Sequence, residues 1–507
     1  MSNQLISESV DIYQLPKADN DALGGKNTNL TIGDLHGNAM KLLFMLLKHG
    51  IARNISEEDY QALVAIYQKQ TDEITQEDLS QFNELIAKIE IQADASIILI
   101  GDVLCDRGSN DYFTLKLLEK LHESGAHVET LLSNHDIEFI ESYETNEDRF
   151  QAKNIDHSGQ ADSTNALQAL IDKKLISRDS VMLMVKSAYK PTLKALAYTL
   201  NDDQNEITIY SHAGIGLTNI QAIAKKLGVT YWDSSVKSLA ATIENINTKF
   251  QEYVQNHTVH TLYDQDNITG EFQEPESAPF EHLMWNRSYS TLDRPAQKNN
   301  YQIQFAHGHD STELTHEHIF NLDNVLGKKN PFNGDTNNCG NYTVLYTTGQ
   351  KLRLAQLDQD FLHSKASHAF LTHLQALFDK AAAFQQKGNS KAADAATGIA
   401  VALGMAFDNY TKNPNDKNNK QAFKIICDAQ FKSDDRRELE KHRGTKKILI
   451  NLALAIVGLG IGFIPLGLIN LAATHGKHFF FHPKTDSAAK LDALEQSAEE
   501  CCKPDKS

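Results

Sequence analysis

Cysteine is scarce in this 507-residue chain, and what there is forms no pattern. Five cysteines (Cys105, Cys339, Cys427, Cys501, Cys502), odd in number and irregularly spaced, exclude a disulfide framework and a zinc motif and point to a reducing compartment. Positive charge is in deficit too: 49 Lys and Arg against 66 Asp and Glu give -17, which excludes a broad basic face for duplex nucleic acid. Phosphate recognition, if present, must be local. With 27 Gly and 10 Pro, and 41% apolar against 23% charged residues, the chain is neither collagen-like nor wholly disordered. The stretch Met1 to Pro16 lacks the basic start and apolar run of a cleaved signal, so Sec export is not expected.

What is present is a recurring local pattern in which a β-branched or apolar run stops abruptly at chemically capable residues. Thr28 to Ile32 runs into Gly33-Asp34-Leu35-His36-Gly37, then a Leu/Met/Phe-rich helix from about Asn38 to His49. Ser96 to Ile100 ends in Gly101-Asp102, and His127 to Leu132 ends in Ser133-Asn134-His135-Asp136. Ile207 to Tyr210 precedes Ser211-His212-Ala213-Gly214, and Tyr301 to Ala306 precedes His307-Gly308-His309-Asp310, neither with a tight helix behind it. Strands follow at Ile319 to Leu322 and in a hairpin-like pair, Thr343 to Thr347 and Lys351 to Leu357. Strands alternating with helices predict an α/β fold whose ligands collect beyond the carboxyl ends of the strands.

The predicted organisation is an N-terminal extension (1–27), a core domain (28–360) with helical insertions at about 52–95 and 143–190, a helical region (361–447) and a tail (474–507). An Asn/Lys-rich linker is expected from about Lys412 to Lys420. Residues 448–473 form an uncharged run of 26, long enough as one helix, roughly 39 Å, to span a bilayer core of about 30 Å. Gly458, Gly460, Gly462 and Pro465 fit a buried hairpin of two shorter helices equally well. Both readings stand, with the basic stretch Arg436 to Lys447 supporting contact with anionic lipid.

Asp34, His36, Asp102, Asn134, His212 and His309 each fall just past a predicted strand. Carboxylate, amide oxygen and imidazole suit hard or borderline divalent ions, and a carboxylate shared by two ions about 4 Å apart would polarise a common water into hydroxide. Alone, Asp-Leu-His-Gly reads as an ordinary capped turn. The ordered set is the signal.

Gly33-Asp34-Leu35-His36-Gly37, Gly101-Asp102 with Asp106-Arg107-Gly108, Asn134-His135-Asp136, His212-Ala213-Gly214 and Gly308-His309-Asp310 resemble, over roughly residues 28 to 360, the ordered motifs of the PPP family of metallophosphatases. The resemblance implies a metallophosphoesterase β-sandwich flanked by helices and two divalent ions, Mn with Fe or Zn as alternatives. By it, Asp34 and His36 would hold one metal, Asp102 would bridge, and Asn134, His212 and His309 would hold the other. His135 would be the general acid, Asp106 would orient its imidazole, and Arg107 and Arg287 of Trp285-Asn286-Arg287 would grip phosphate.

The sequence departs from that pattern in three places. Val103, Leu104 and Cys105 make three residues between the aspartates where two are usual, Asp136 replaces glutamate, and Ser133 replaces glycine. His307 competes with His309 as ligand, the Gly-His step favouring His309, and Asp323 sits where the family keeps an Asp. Cys105 lacks a Cys-x5-Arg loop and reads as a packing residue.

The insertions, the helical region and the acidic tail Glu495 to Glu500 resemble a narrower group, the Wip-type phosphatase effectors that Legionella delivers through type IV secretion. The expected activity is hydrolysis of host phosphoprotein monoesters, at a membrane if 448–473 enters one. The rivals are a dinucleoside polyphosphate hydrolase and a decayed phosphatase acting as a scaffold.

Overall fold

Runs rich in Ile, Leu, Val and Thr become strands because branched side chains pack well on a pleated surface, and in this computed structural model they build two facing sheets. The structure describes residues 3–18, 28–145, 148–155, 159–263, 275–330, 334–349, 365–411, 416–442 and 444–459. In chain order the strands are β1 (Gln4–Asp11), β2 (Thr28–Ile32), β3 (Ala52–Arg53), β4 (Glu90–Ile91), β5 (Ser96–Leu99), β6 (His127–Leu131) and β7 (Leu193–Lys194), then β8 (Ala197–Leu200), β9 (Glu206–Tyr210), β10 (Gln297–Lys298), β11 (Tyr301–His307), β12 (Ile319–Asn321) and β13 (Cys339–Thr348). One sheet is ordered β1-β13-β2-β5-β6-β7 and the other β10-β11-β9-β8, with β12 beside β11; β3 and β4 pair separately. The strands β2, β5, β6 and β7 run parallel, as do β9, β11 and β12.

The inner faces of the sheets meet in one buried cluster that joins Ile98, Leu131 and Leu345 to Ala197, Tyr210 and Ala306. Burial of each large member contributes roughly 1.5–3 kcal/mol. The Tyr210 hydroxyl donates across the sandwich to Thr347 Oγ1 at 3.0 Å. The fold is the expected α/β sandwich flanked by helices.

Several elements differ from the sequence reading. Residues 4–11, read as part of an extension, are the edge strand β1, antiparallel to β13 along its whole length, from Gln4 opposite Tyr346 to Asp11 opposite Cys339. Their side chains stay largely at the surface, so no apolar alternation announced a strand. The strand β13 is correspondingly longer than Thr343 to Thr347, while Lys351 to Leu357 lie outside the described residues. A helix, Leu217–Lys226, does follow β9. In the first insertion the helices Glu57–Gln68 and Gln76–Lys88 bury Leu63, Ile66, Tyr67, Leu79, Phe82, Leu85 and Ile86, at the spacing the sequence displays. The second insertion contains the helices Asp162–Asp172 and Arg178–Met184, the latter running into a π-helical turn at Val185–Tyr189.

The chain divides into two compact units, Met1–Val229 with Ala240–Lys351, and Thr230–Leu239 with Leu352–Ser507. The second unit is helical: Lys365–Gln386, Ser390–Thr411, Lys417–Lys432, Asp434–Glu440 and Thr445–Gly458. Part of the expected linker is therefore helix, because Asp416 caps it by accepting from the N–H groups of Asn418 and Asn419. Leu449, Leu452, Ile456 and Leu459, from the start of the apolar run, pack with Phe370, Leu403 and Phe407. The rest of that run, 460–473, and the tail with Cys501 and Cys502 lie outside the described residues. Among the described residues no helix is long and apolar enough to cross a membrane.

Candidate metal centre and active site

The carboxyl ends of the strands converge on one buried cluster, as a parallel sheet dictates. Asp34 and His36 follow β2, Asp102 follows β5, Asn134 and His135 follow β6, His212 follows β9, His309 follows β11, and Asp323 follows β12. His36, Asp102, Cys105 and His309 have φ of 58°, 51°, 60° and 69°, a left-handed conformation that costs non-glycine residues of order 1–3 kcal/mol each. Gly308 is required here by space, since a Cβ on it would stand 1.8 Å from Asp34 Oδ1.

Two donor sets share one carboxylate. Asp34, Asp102 and His212 offer ligand atoms within 4.8 Å of one another, and so do His36, Asp102 and Asp106. The fit to divalent cations rests on groups that the protein itself does not satisfy. Asp34 Oδ1, Asp102 Oδ1, His309 Nε2 and Asp323 Oδ1 are buried without a hydrogen-bond partner, a costly state unless a cation occupies the space between them. The imidazole of His36 has acceptors on both sides, Asn324 O at 2.7 Å from Nε2 and Asp106 Oδ2 at 3.1 Å from Nδ1. Both neighbours can only accept while a neutral imidazole offers a single hydrogen, so one ring nitrogen is left with its lone pair toward an acceptor. A cation resolves that repulsion. His212 repeats the arrangement: Nδ1 donates to Ile100 O at 3.1 Å, and Nε2 lies 2.7 Å from Asn134 Oδ1 and 3.5 Å from Asp102 Oδ1.

Burial keeps the two imidazoles in ligating form. Burial drives His36 down to about 3, with the Lys328 and Lys41 charges adding to it, and drives His212 down to about 4. Both imidazoles are neutral. Burial and the neighbouring Asp323 and Asp102 hold Asp34 well above the usual carboxylate range. Burial would also raise Asp106, but His135, His36 and Arg107 outweigh it and hold that carboxyl well below its ordinary value. Burial disfavours charge on His135, yet Asp106, Asp102 and the Cys105 carbonyl overcome it and raise its pKa.

The three departures from the family pattern explain one another. Val103 and Leu104 donate their N–H groups to Asp136 at 3.2 and 3.1 Å, and Cys105 donates to Asp111 at 3.1 Å. Ser133 Oγ accepts from Asp102 N at 3.0 Å and donates to Asp136 Oδ2 at 2.6 Å. The longer loop thus finds acceptors in the two substituted positions. One role shifts with it. His135 Nδ1 donates to Cys105 O at 2.8 Å, whereas Asp106 stands 3.6 Å from His135 Nε2, beyond hydrogen-bond reach. The Cys105 carbonyl, not Asp106, orients the ring.

Arg107 Nε donates to Asp106 Oδ1 at 2.9 Å. Arg287, 49% exposed, lies 6.0 Å from the Trp285 ring and 4.0 Å from Asp310, and the Trp285 ring stands edge-on to His309 at 5.9 Å. His307 turns toward Glu313, 2.8 Å from Nε2, while His309 faces His212 with ring centroids 5.0 Å apart. The Cys105 thiol is buried and its pKa is raised by that burial, which leaves it unsuited to nucleophilic attack. Sequence reasoning missed Asp111 and the buried Lys41. The signal for Lys41 was a single charge inside the apolar run Ala39 to Leu47.

A family model described as WipA-like, phosphatase domain, matches residues 96–328. No curated protein matches. Among solved structures, the phosphatase domain from the Legionella effector WipB is similar at 37% identity and TM-score 0.52, over 56% of this chain and 99% of that chain. Similarity that runs the full length of that phosphatase domain, around a cluster able to seat metal, places this chain in the family of WipA-like phosphatases.

Proposed function

We propose that the chain is a metal-dependent phosphoprotein phosphatase, a bacterial effector delivered by type IV secretion that hydrolyses phosphomonoesters on host proteins. The observation that carries the catalytic part is the pair of donor sets sharing Asp102, lined by unsatisfied buried oxygens. In this reading Asp34, His36, Asp102, Asn134, His212 and His309 hold two divalent ions, Mn or alternatively Fe or Zn. Bound there, the ions supply a water activated at neutral pH and charge to offset the phosphate. Arg107 and Arg287 bind phosphate oxygens and align phosphorus for in-line attack. His135, held through Nδ1 by Cys105 O, presents Nε2, and its raised pKa suits donation of that proton to the leaving oxygen. That the similar WipB phosphatase domain belongs to a Legionella effector supports the delivery reading. Membrane attachment through 448–473 has only that segment's lack of charge behind it, and the burial of Leu449, Leu452, Ile456 and Leu459 in the helical core favours the buried hairpin.

The decisive experiment incubates the protein with Mn²⁺ and either a phosphopeptide panel or diadenosine tetraphosphate. Faster phosphopeptide turnover, abolished by chelation, is expected; faster nucleotide turnover would overturn the substrate assignment. Liposome flotation of the full chain beside one ended at Lys447 tests attachment, and equal sedimentation of both would discard it.

A further inference from the structure

Lys41 is 1% exposed, in a helix whose first nine residues are all buried. Lysine is almost never found there without a purpose-built set of acceptors. The set is complete: Nζ donates to Asp34 O at 2.6 Å, Leu326 O at 2.9 Å and Asn324 Oδ1 at 3.2 Å. These acceptors belong to two segments, the loop that carries Asp34 and His36 and the loop 323–327 beyond β12. Asn38, the cap of the same helix, fastens the second loop again through Gly327 O at 2.9 Å.

The consequence falls on His36. Its Nε2 lies 2.7 Å from the main-chain carbonyl of Asn324, so the position of loop 323–327 sets how the ring stands against Asp102 and Asp106. In metal sites a hydrogen bond to the remote imidazole nitrogen fixes tautomer and ring direction. We infer that Lys41 is a positioning residue for the metal seat: by pinning loop 323–327 to the Asp34 loop, it holds the His36 ring between Asn324 O and Asp106. The inference rests on the metal-site reading above and adds to it a device that donates no ligand atom.

The sign of the effect separates positioning from simple charge. A cation beside a cation-binding seat opposes binding, so removing it for electrostatic reasons alone would tighten the metal. Removing it as a tether loosens the metal. The test titrates metal-free protein with Mn²⁺ by calorimetry and with Co²⁺ by its visible absorption, comparing the parent with Lys41→Met, Asn324→Ala and Asp102→Asn. Lys41→Met is expected to weaken the dissociation constant about 10- to 100-fold, the range for loss of an outer-shell partner, and to alter the Co²⁺ spectrum. Loss of folded material would instead reduce stoichiometry at unchanged affinity. Asn324→Ala retains the carbonyl to His36 and two of the three Lys41 acceptors but also loses Asn324's own bonds to Leu322 O and Leu326 N; a shift in the same direction is expected, and parent-like binding in it would overturn the hold of loop 323–327 on His36 even if Lys41→Met does not fold. Parent-like or tighter binding in the folded variants would overturn the inference. Parent-like binding in Asp102→Asn would overturn the metal-site reading itself.

Discussion

The two interiors of this chain are built on opposite terms. In the catalytic unit Asp34, His36, Lys41, Asp102, Asp106, Asp111, His135 and Asp136 are all 4% exposed or less. In the helical unit the buried polar side chains among the described residues are Ser234, Ser238, Thr411 and Thr445, none of them ionisable at neutral pH, around a core of Leu, Ala and Phe. A buried charge is tolerated only where partners offset its desolvation, so the first interior holds its charges in a connected network and leaves a few oxygens unsatisfied for metal. The second needs only shape. Among the described residues the buried ionisable groups gather in the catalytic unit, at the strand ends and on the helices behind them, while the core of the helical unit is apolar.

Asp102→Asn should break this contrast most strongly. It removes the carboxylate common to both donor sets, and kcat/KM on p-nitrophenyl phosphate with Mn²⁺ should fall by more than the roughly 10- to 100-fold that loss of an outer partner costs. The gain in Tm that Mn²⁺ gives the parent should vanish with it, while the metal-free variant melts no lower than the metal-free parent.

Phe407→Ala attacks the other interior. Phe407 is 1% exposed and stacks on Phe370 at 4.5 Å, so calorimetry should record a loss of about 3–5 kcal/mol, with phosphatase turnover unchanged below the transition. A parallel loss of turnover would mean that the two interiors are not independent.

Arg287→Ala is milder. A charged hydrogen bond contributes about 1.5–3 kcal/mol, and the half-exposed position lowers that toward a roughly tenfold fall in kcat/KM in steady-state kinetics.

The smallest effect concerns pH. Burial raises Asp111 to about 7, above an unfolded value near 3.9. Its contribution to stability is therefore full below about pH 4 and is lost as pH rises toward 7. Relative to the parent, Asp111→Asn should gain stability between pH 5 and pH 8, read from urea midpoints; a difference independent of pH would contradict the shift.

Much of the catalytic unit was legible because strand ends and motif residues coincide. The run Thr28 to Ile32 became β2, and Asp34 and His36 stand where a parallel strand delivers its ligands. The edge strand β1 was not legible, since it is held by main-chain pairing with β13 and buries little. Ser133 and Asp136 were visible only as departures. Their meaning, as acceptors for a loop one residue longer, required Val103, Leu104 and Asp102 to be seen pointing at them.

By itself the sequence determined the residue types at the strand ends, the order in which they occur, and the net negative charge, because these follow from local pattern and composition. Only the tertiary structure decided which carbonyl stands against the His36 ring, which carbonyl orients His135, and why a lysine lies beneath the aspartates. Each of those depends on a hydrogen bond between segments far apart in the chain, and such bonds have no local signature.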